Sequence, residues 1–133
     1  MSVGSWNPGQ SQDDEPLTVV HLERFIALAK TDSLENMQDE LSEADRSLGE
    51  IMRWDEAQWL PPLEEIESGD LLQLIRFFTL AESKLPGWEA GVKSPVIVIN
   101  KLLKTRGERL DRDLLLWIRK NSQNRFIPNG SVL

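Results

Sequence analysis

Apolar residues recur along this chain mostly at helical spacing, in stretches separated by proline, glycine and capping residues. Between 17 and 30, Val19, Leu22, Phe25, Ile26 and Ala29 fall on one stripe, with Glu23, Arg24 and Lys30 toward water. Thr18 is the expected N-cap. From 34 to 51 the pattern is more regular. Leu34, Met37, Leu41, Ala44, Leu48 and Ile51 are spaced 3, 4, 3, 4 and 3 residues apart, an a/d seam. This predicts one long amphipathic helix whose outer surface carries Glu35, Asp39, Glu40, Glu43, Asp45 and Glu50. Inside such a helix Gly49 would cost up to about 1 kcal/mol relative to Ala. Pro61 and Pro62 are expected to end the region, because the residue before a proline avoids the helical basin. Trp54 and Trp59 would fold over that end.

Ser68, Gly69 and Asp70 then precede a stretch that is apolar on most sides, from Leu71 through Leu74, Ile75, Phe77 and Phe78 to Leu80 and Ala81. A helix of that kind belongs in the centre of a fold, touched by several neighbours. It should stop near Lys84, before the turn signature Leu85, Pro86, Gly87, Trp88. Ser94 and Pro95 read as an N-cap followed by proline at the first helical position. The β-branched run at 96–99 would suit a buried strand. Leu102 and Leu103 extend the apolar pattern, and Gly107 sits where a C-terminal glycine belongs, so a helix is preferred. The last helix starts at its cap Asp111, with Asp113 in the dipole-favoured first turn and Leu110 and Leu115 as a staple across the cap. Residues 114–118 are almost wholly apolar and should be buried. Arg119 and Lys120 occupy the last turn.

The fold class is therefore all-α: a single-domain bundle of about five helices over 17–120. Residues 1–16, rich in Gly, Ser, Pro, Asn and Gln, read as a disordered tail, and 121–133 as an extended C-terminal tail. A chain of 133 residues can bury a core without staples. It has no cysteine, which excludes a disulfide framework, thiolate ligands and a cysteine nucleophile. The first thirty residues lack the profile of a secretory leader, and no apolar run approaches the roughly 18 residues of a spanning helix. A cytoplasmic location away from membranes is expected.

Charge changes this picture, because its sign reverses midway. Residues 1–70 carry 17 acidic side chains against four basic ones, a balance of −13. Residues 71–133 carry 11 basic against five acidic, a balance of +6, leaving −7 for the chain. Either the halves neutralise each other, or one is offered to a partner of opposite sign. Internal neutralisation is expected, with the acidic 34–51 helix facing the basic 101–125 region and a surplus of acid left exposed.

Candidate chemistry is sparse. Glu40, Glu43, Glu50 and Asp55 would suit the Mg²⁺-binding carboxylates of an all-α nucleotide hydrolase only if they converged in a pocket. On this periodicity most of them point to solvent. His21 is the sole histidine, which supplies neither a di-iron nor a zinc-peptidase ligand set. No nucleophile elbow or phosphate loop is present, so neither catalytic residues nor a cofactor or metal site are assigned. Residues 94–125 allow a helix-turn-helix reading with phosphate-contacting basic groups. The acidic chain as a whole and the apolar 114–118 stretch weigh against nucleic acid.

The leading expectation is a non-enzymatic, cytoplasmic protein-interaction or regulatory module with an unknown protein partner. The alternatives are a nucleic-acid-associated protein and a metal-dependent all-α nucleotide hydrolase. Candidate surface residues are Trp59 and Trp88, beside proline-containing turns, together with Glu40 and Glu43 on the acidic side and Arg119 and Arg125 on the basic side. A homodimer through the 34–51 seam is a further expectation, although the same seam would serve an intramolecular bundle.

Overall fold

A computed structural model describes residues 19–130. Seven α-helices and no strand are found among them: α1 (Val19–Ala29), α2 (Met37–Glu40), α3 (Glu43–Arg46), α4 (Glu56–Glu64), α5 (Ser68–Lys84), α6 (Pro95–Thr105) and α7 (Arg112–Asn121). The tail expected at 1–16 and the Thr18 cap lie outside the described residues. The all-α class holds, and α5 is the central element, packed against α1, α6 and α7. Leu71, Leu74, Ile75, Phe77, Phe78, Leu80 and Ala81 are all buried. Their side chains span nearly the whole circumference of the helix, so one neighbour could not cover them. Helix α1 lays Leu22, Phe25, Ile26 and Ala29 on this core, as its stripe predicts.

The 34–51 segment departs from expectation. Instead of one long helix it forms a 3₁₀ turn (Asp32–Asn36), the short α2 and α3, and a second 3₁₀ turn (Gly49–Arg53). The break lies at Leu41 and Ser42, both extended at ψ 143° and 162°. Ser42 accepts the Asp45 N–H at 3.1 Å, starting α3 anew. Asp45 is thereby turned inward, where Arg24 donates to both carboxylate oxygens at 2.7 and 3.1 Å. This hydrogen-bonded carboxylate raises the Arg24 pKa above its ordinary value. Apolar position survives where helical continuity does not: Leu34, Met37, Leu41 and Ile51 are buried, while Ala44 is exposed.

Helix α4 was not anticipated. Pro61 and Pro62 lie inside it rather than ending the region. They cannot donate to the helical ladder, so other contacts must hold the helix. Gln58 Oε1 accepts the Asp55 N–H at 2.9 Å at its start. Trp59 and Leu63 are fully buried in its middle. At its end the Arg106 guanidinium donates to the Ile66 and Glu64 carbonyls at 2.8 and 3.2 Å, a cation where the helix dipole is negative.

The two remaining helices begin and end as their signals predict. Ser94 Oγ accepts the Val96 N–H at the start of α6. At its end Gly107 has φ +81°, and Glu108 N–H bonds the Leu103 carbonyl at 2.9 Å, the Schellman closure. Asp111 Oδ1 caps α7 by accepting the Leu114 N–H at 2.8 Å.

Gly49 reverses its expected role. A Cβ there would lie far inside van der Waals contact with the Gly87 carbonyl oxygen and 3.1 Å from Trp88 Cδ1. Trp88 is itself fixed, its Nε1–H donating to the Arg46 carbonyl at 2.8 Å. Gly49→Ala should therefore destabilise by about 1–3 kcal/mol instead of stabilising. Urea unfolding is the check, and a gain in stability would mean that the two backbones separate freely. Phe77 is buried and stacks on Phe25 at 4.3 Å with 7° between the rings. Phe77→Ala should cost on the order of 3–5 kcal/mol in the same assay, and a loss below about 1 kcal/mol would contradict its place in the core.

Candidate interaction surface

The C-terminal helix α7 is held to the body by one face only. Ile118 is buried, Leu114 and Trp117 are partly buried, and the Arg76 guanidinium sits over the Trp117 ring at 5.6 Å. Arg76 also donates to the Ala29 carbonyl at 3.0 Å, so one side chain on α5 ties α7 to the end of α1. The opposite face carries Arg112, Asp113, Leu116, Arg119 and Lys120, all exposed. Leu116 is 53% exposed and Leu115 37%. The expectation that 114–118 would be buried is thus corrected. Successive helical residues turn by about 100°, so three consecutive leucines cannot all share one core-facing stripe.

Residues 122–130, expected to be extended, instead turn back onto the body. Asn124 Nδ2 donates to both Glu82 carboxylate oxygens at 3.0 and 3.2 Å and to the Gly91 carbonyl at 2.9 Å. The same Glu82 accepts the backbone N–H groups of Ala90 and Gly91, each at 2.9 Å. Asn100, buried on α6, donates to the Pro128 carbonyl at 3.1 Å. These bonds fix a second wall beside α7.

Three open grooves surround the helix. One of about 440 Å³ lies between α7 and the 122–130 turn, lined by Leu115, Ile118, Ile127 and Pro128 with Arg119 and Arg125. A second, about 730 Å³, adds Lys104, Arg109 and Leu110 to Leu115. The third, about 860 Å³, is bordered by Arg119, Lys120 and Arg125 and by Glu82 and Glu89. Leu115 is common to the first two, and Arg119 and Arg125 to the first and third, which makes the surface continuous.

The structure sorts the sequence-derived candidates. Trp59 and Trp88 are 0% exposed and belong to the core, so neither forms part of a surface. Their large rings are drawn inward by Phe78 at 5.4 Å for Trp59 and by Phe25 and Phe77 at 6.3 and 6.1 Å for Trp88. Glu40 and Glu43 are exposed on α2 and α3, and neither lines the grooves around α7. Arg119 and Arg125 are exposed and meet in the groove beside the turn. Leu115, Leu116 and the Glu82–Asn124 clamp were missed. Among the described residues no group of three or more His, Cys, Asp or Glu is placed to hold a metal ion, and no helix is long and apolar enough to cross a membrane.

The charged halves do meet through two ion pairs, but neither comes from the 34–51 segment expected to face 101–125. Lys93 pairs with Asp55, and Lys101 with Glu56 at 3.2 Å, both beyond the 34–51 segment. The ion pair of that segment itself runs from Asp45 to Arg24, within the acidic half. Among the described residues Arg109, Arg112, Arg119, Lys120 and Arg125 form no ion pair. Comparison of the chain with protein-family models, curated proteins and solved structures finds no match.

If the outward face of α7 is surface rather than core, Leu116→Ser should change stability by no more than about 0.5 kcal/mol. Ile118→Ala, on the inner face of the same helix, should cost about 2–5 kcal/mol. Chemical denaturation of both variants distinguishes the faces, and equal losses would contradict the assignment.

Proposed function

We propose that this chain is a non-enzymatic protein-interaction or regulatory module that docks a protein partner on the outward face of α7. The observation that carries the reading is the pair of exposed leucines, Leu115 and Leu116, set among cations that have no ion-pair partner in the described residues. A lone exposed leucine needs no explanation. Two adjacent ones, beside a continuous groove and rimmed by arginine, have the composition of a docking patch: apolar at its centre, charged at its edge, and rich in Arg. Such a face offers little to base edges, since leucine neither donates nor accepts a hydrogen bond. The carboxylates that would suit a metal-dependent hydrolase point the same way, because Glu40, Glu43 and Glu50 are exposed rather than gathered in a cleft. A cytoplasmic setting belongs to the same proposal, in keeping with a chain that lacks cysteine.

The test compares affinity capture from the native host by the wild-type chain, by Leu116→Ser/Arg119→Glu, and by Glu40→Lys/Glu43→Lys. Proteins bound by the wild type should fall about tenfold or more with the α7 variant, a loss of at least about 1.4 kcal/mol, and persist with the acidic-side variant. Retention by the α7 variant, or loss that follows Glu40 and Glu43, would overturn the reading.

A further inference from the structure

The groove between α7 and the 122–130 turn has a chemistry more specific than a general docking face. Its apolar floor, Leu115 and Ile118 from the helix and Ile127 and Pro128 from the turn, is flanked by the polar Ser122, Gln123, Asn124 and Asn129. Arg119 and Arg125 are both exposed, and the groove lining contains no acidic residue. Neither arginine has an ion-pair partner among the described residues. We infer that the partner presents an acidic, amphipathic peptide segment, seats a large apolar side chain on this floor, and sets carboxylates against Arg119 and Arg125. The inference rests on the docking reading above and names the chemistry of the partner.

Two features of the site choose this occupant. A volume of about 440 Å³ accommodates a side chain with its flanking backbone, at the lower end of the range typical of binding pockets. An apolar floor gains free energy only from an apolar group removed from water. A bare polyanion such as nucleic acid would engage the arginines and leave the floor unused. Arginine is suited to the second half of the task, since its planar fork pairs with carboxylate oxygens in two parallel bonds. The wall opposite α7 is fixed by Asn124 on Glu82 and by Asn100 on the Pro128 carbonyl, so little ordering remains to be done on binding. Amphipathic segments that dock in this way place their anchors at i, i+3 or i+4, and i+7. Charge also discriminates. The exposed acids Asp111 and Asp113 lie at the start of α7 and Arg119 and Lys120 at its end, so carboxylates are attracted to the end that borders the groove.

The experiment uses the full chain and a fluorescent synthetic peptide of about 16 residues with leucine at helical anchor spacing and glutamate elsewhere. Its controls are the same peptide with serine for leucine, the same peptide with lysine for glutamate, a DNA duplex, and vesicles of phosphatidylcholine with phosphatidylserine. The acidic leucine peptide should bind at least about tenfold more tightly than either peptide control, and more tightly than the duplex or the vesicles. Arg125→Glu, Arg119→Gln and Leu115→Ser should each weaken it about tenfold, with an unchanged helical signal and urea midpoint showing that the fold is kept. Equal binding of the serine peptide, stronger binding of the duplex or the vesicles, or no binding of the acidic peptide would each overturn the inference. Self-association that competes with the peptide and is lost with Arg119→Gln would also overturn it, by making a second copy the occupant. If the acidic peptide fails while host partners still depend on Leu116 and Arg119, the docking reading stands and this inference alone falls.

Discussion

Phe77 and Phe25 lie parallel at 4.3 Å, with Phe78 and Trp88 set edge-on around them and Trp59 edge-on to Phe78. These five rings come from α1, α4, α5 and the turn after α5, so their burial joins parts of the chain distant in sequence. Each ring removes a large apolar area from water, and the edge-to-face geometry adds an electrostatic preference for one arrangement. The surrounding backbone follows from this cluster. The indole N–H of Trp88 holds the Arg46 carbonyl, and that hold brings Gly49 against Gly87. The two short helices and two 3₁₀ turns of 32–53 are the path the chain takes around a ring cluster that it must also cover.

Charge is arranged differently from apolar surface. Three of the four ion pairs of the described residues join exposed or partly exposed side chains and contribute about 0–1 kcal/mol each, whereas the two-bond Arg24–Asp45 pair has a buried carboxylate. Guanidinium groups do more when they meet backbone carbonyls. Arg106 satisfies the end of α4, Arg76 the end of α1, and Arg53 the carbonyls of Gly87 and Glu89 at 3.2 and 2.7 Å. Arg106 and Arg76 thereby cap helix ends that lack a glycine closure of their own, and Arg53 ties down the turn at Gly87. The arginines of α7 and the following turn have no such task, and that difference separates the structural cations from the available ones.

Much of the fold was legible because local signals and burial agreed. Ser94, Pro95 and Gly107 bound α6 by stereochemistry alone, and the all-round apolar face of α5 required a central position. Other features depend on tertiary context. The 34–51 heptads mark four buried positions, Leu34, Met37, Leu41 and Ile51, but fail at exposed Ala44 and in continuity, since Ser42 and the Arg24–Asp45 pair outweigh propensity in a weak helix. Pro61 and Pro62 mislead because proline is judged by the hydrogen bonds it removes, whereas α4 is held by the burial of Trp59 and Leu63. Trp59 and Trp88 resembled surface residues from their proline neighbours, yet rings of that size are placed by the cluster they complete. On the candidate site, Arg119 and Arg125 were found by charge. Leu115 and Leu116 were detectable as well, because three consecutive leucines exceed one helical stripe.

The outward face of α7 gains its meaning from how firmly the inward face is held. Trp117 under Arg76, buried Ile118 and the Asp111 cap leave α7 no freedom to roll its leucines into the core. The 122–130 turn is fixed independently, through Glu82 on α5 and Asn100 on α6. Three helices thus converge to hold the two walls of one groove. A surface whose apolar groups are exposed because nothing orders them would lose affinity to the entropy of ordering on contact. Here the side chains beneath the groove are packed and its backbone is hydrogen-bonded, so the proposed docking would need to order little beyond the arginines at the rim. Rigid placement of two exposed leucines is hard to explain by packing alone, since Leu116 contributes little to the core it faces away from. The proposed docking role would account for both the exposure and the rigidity.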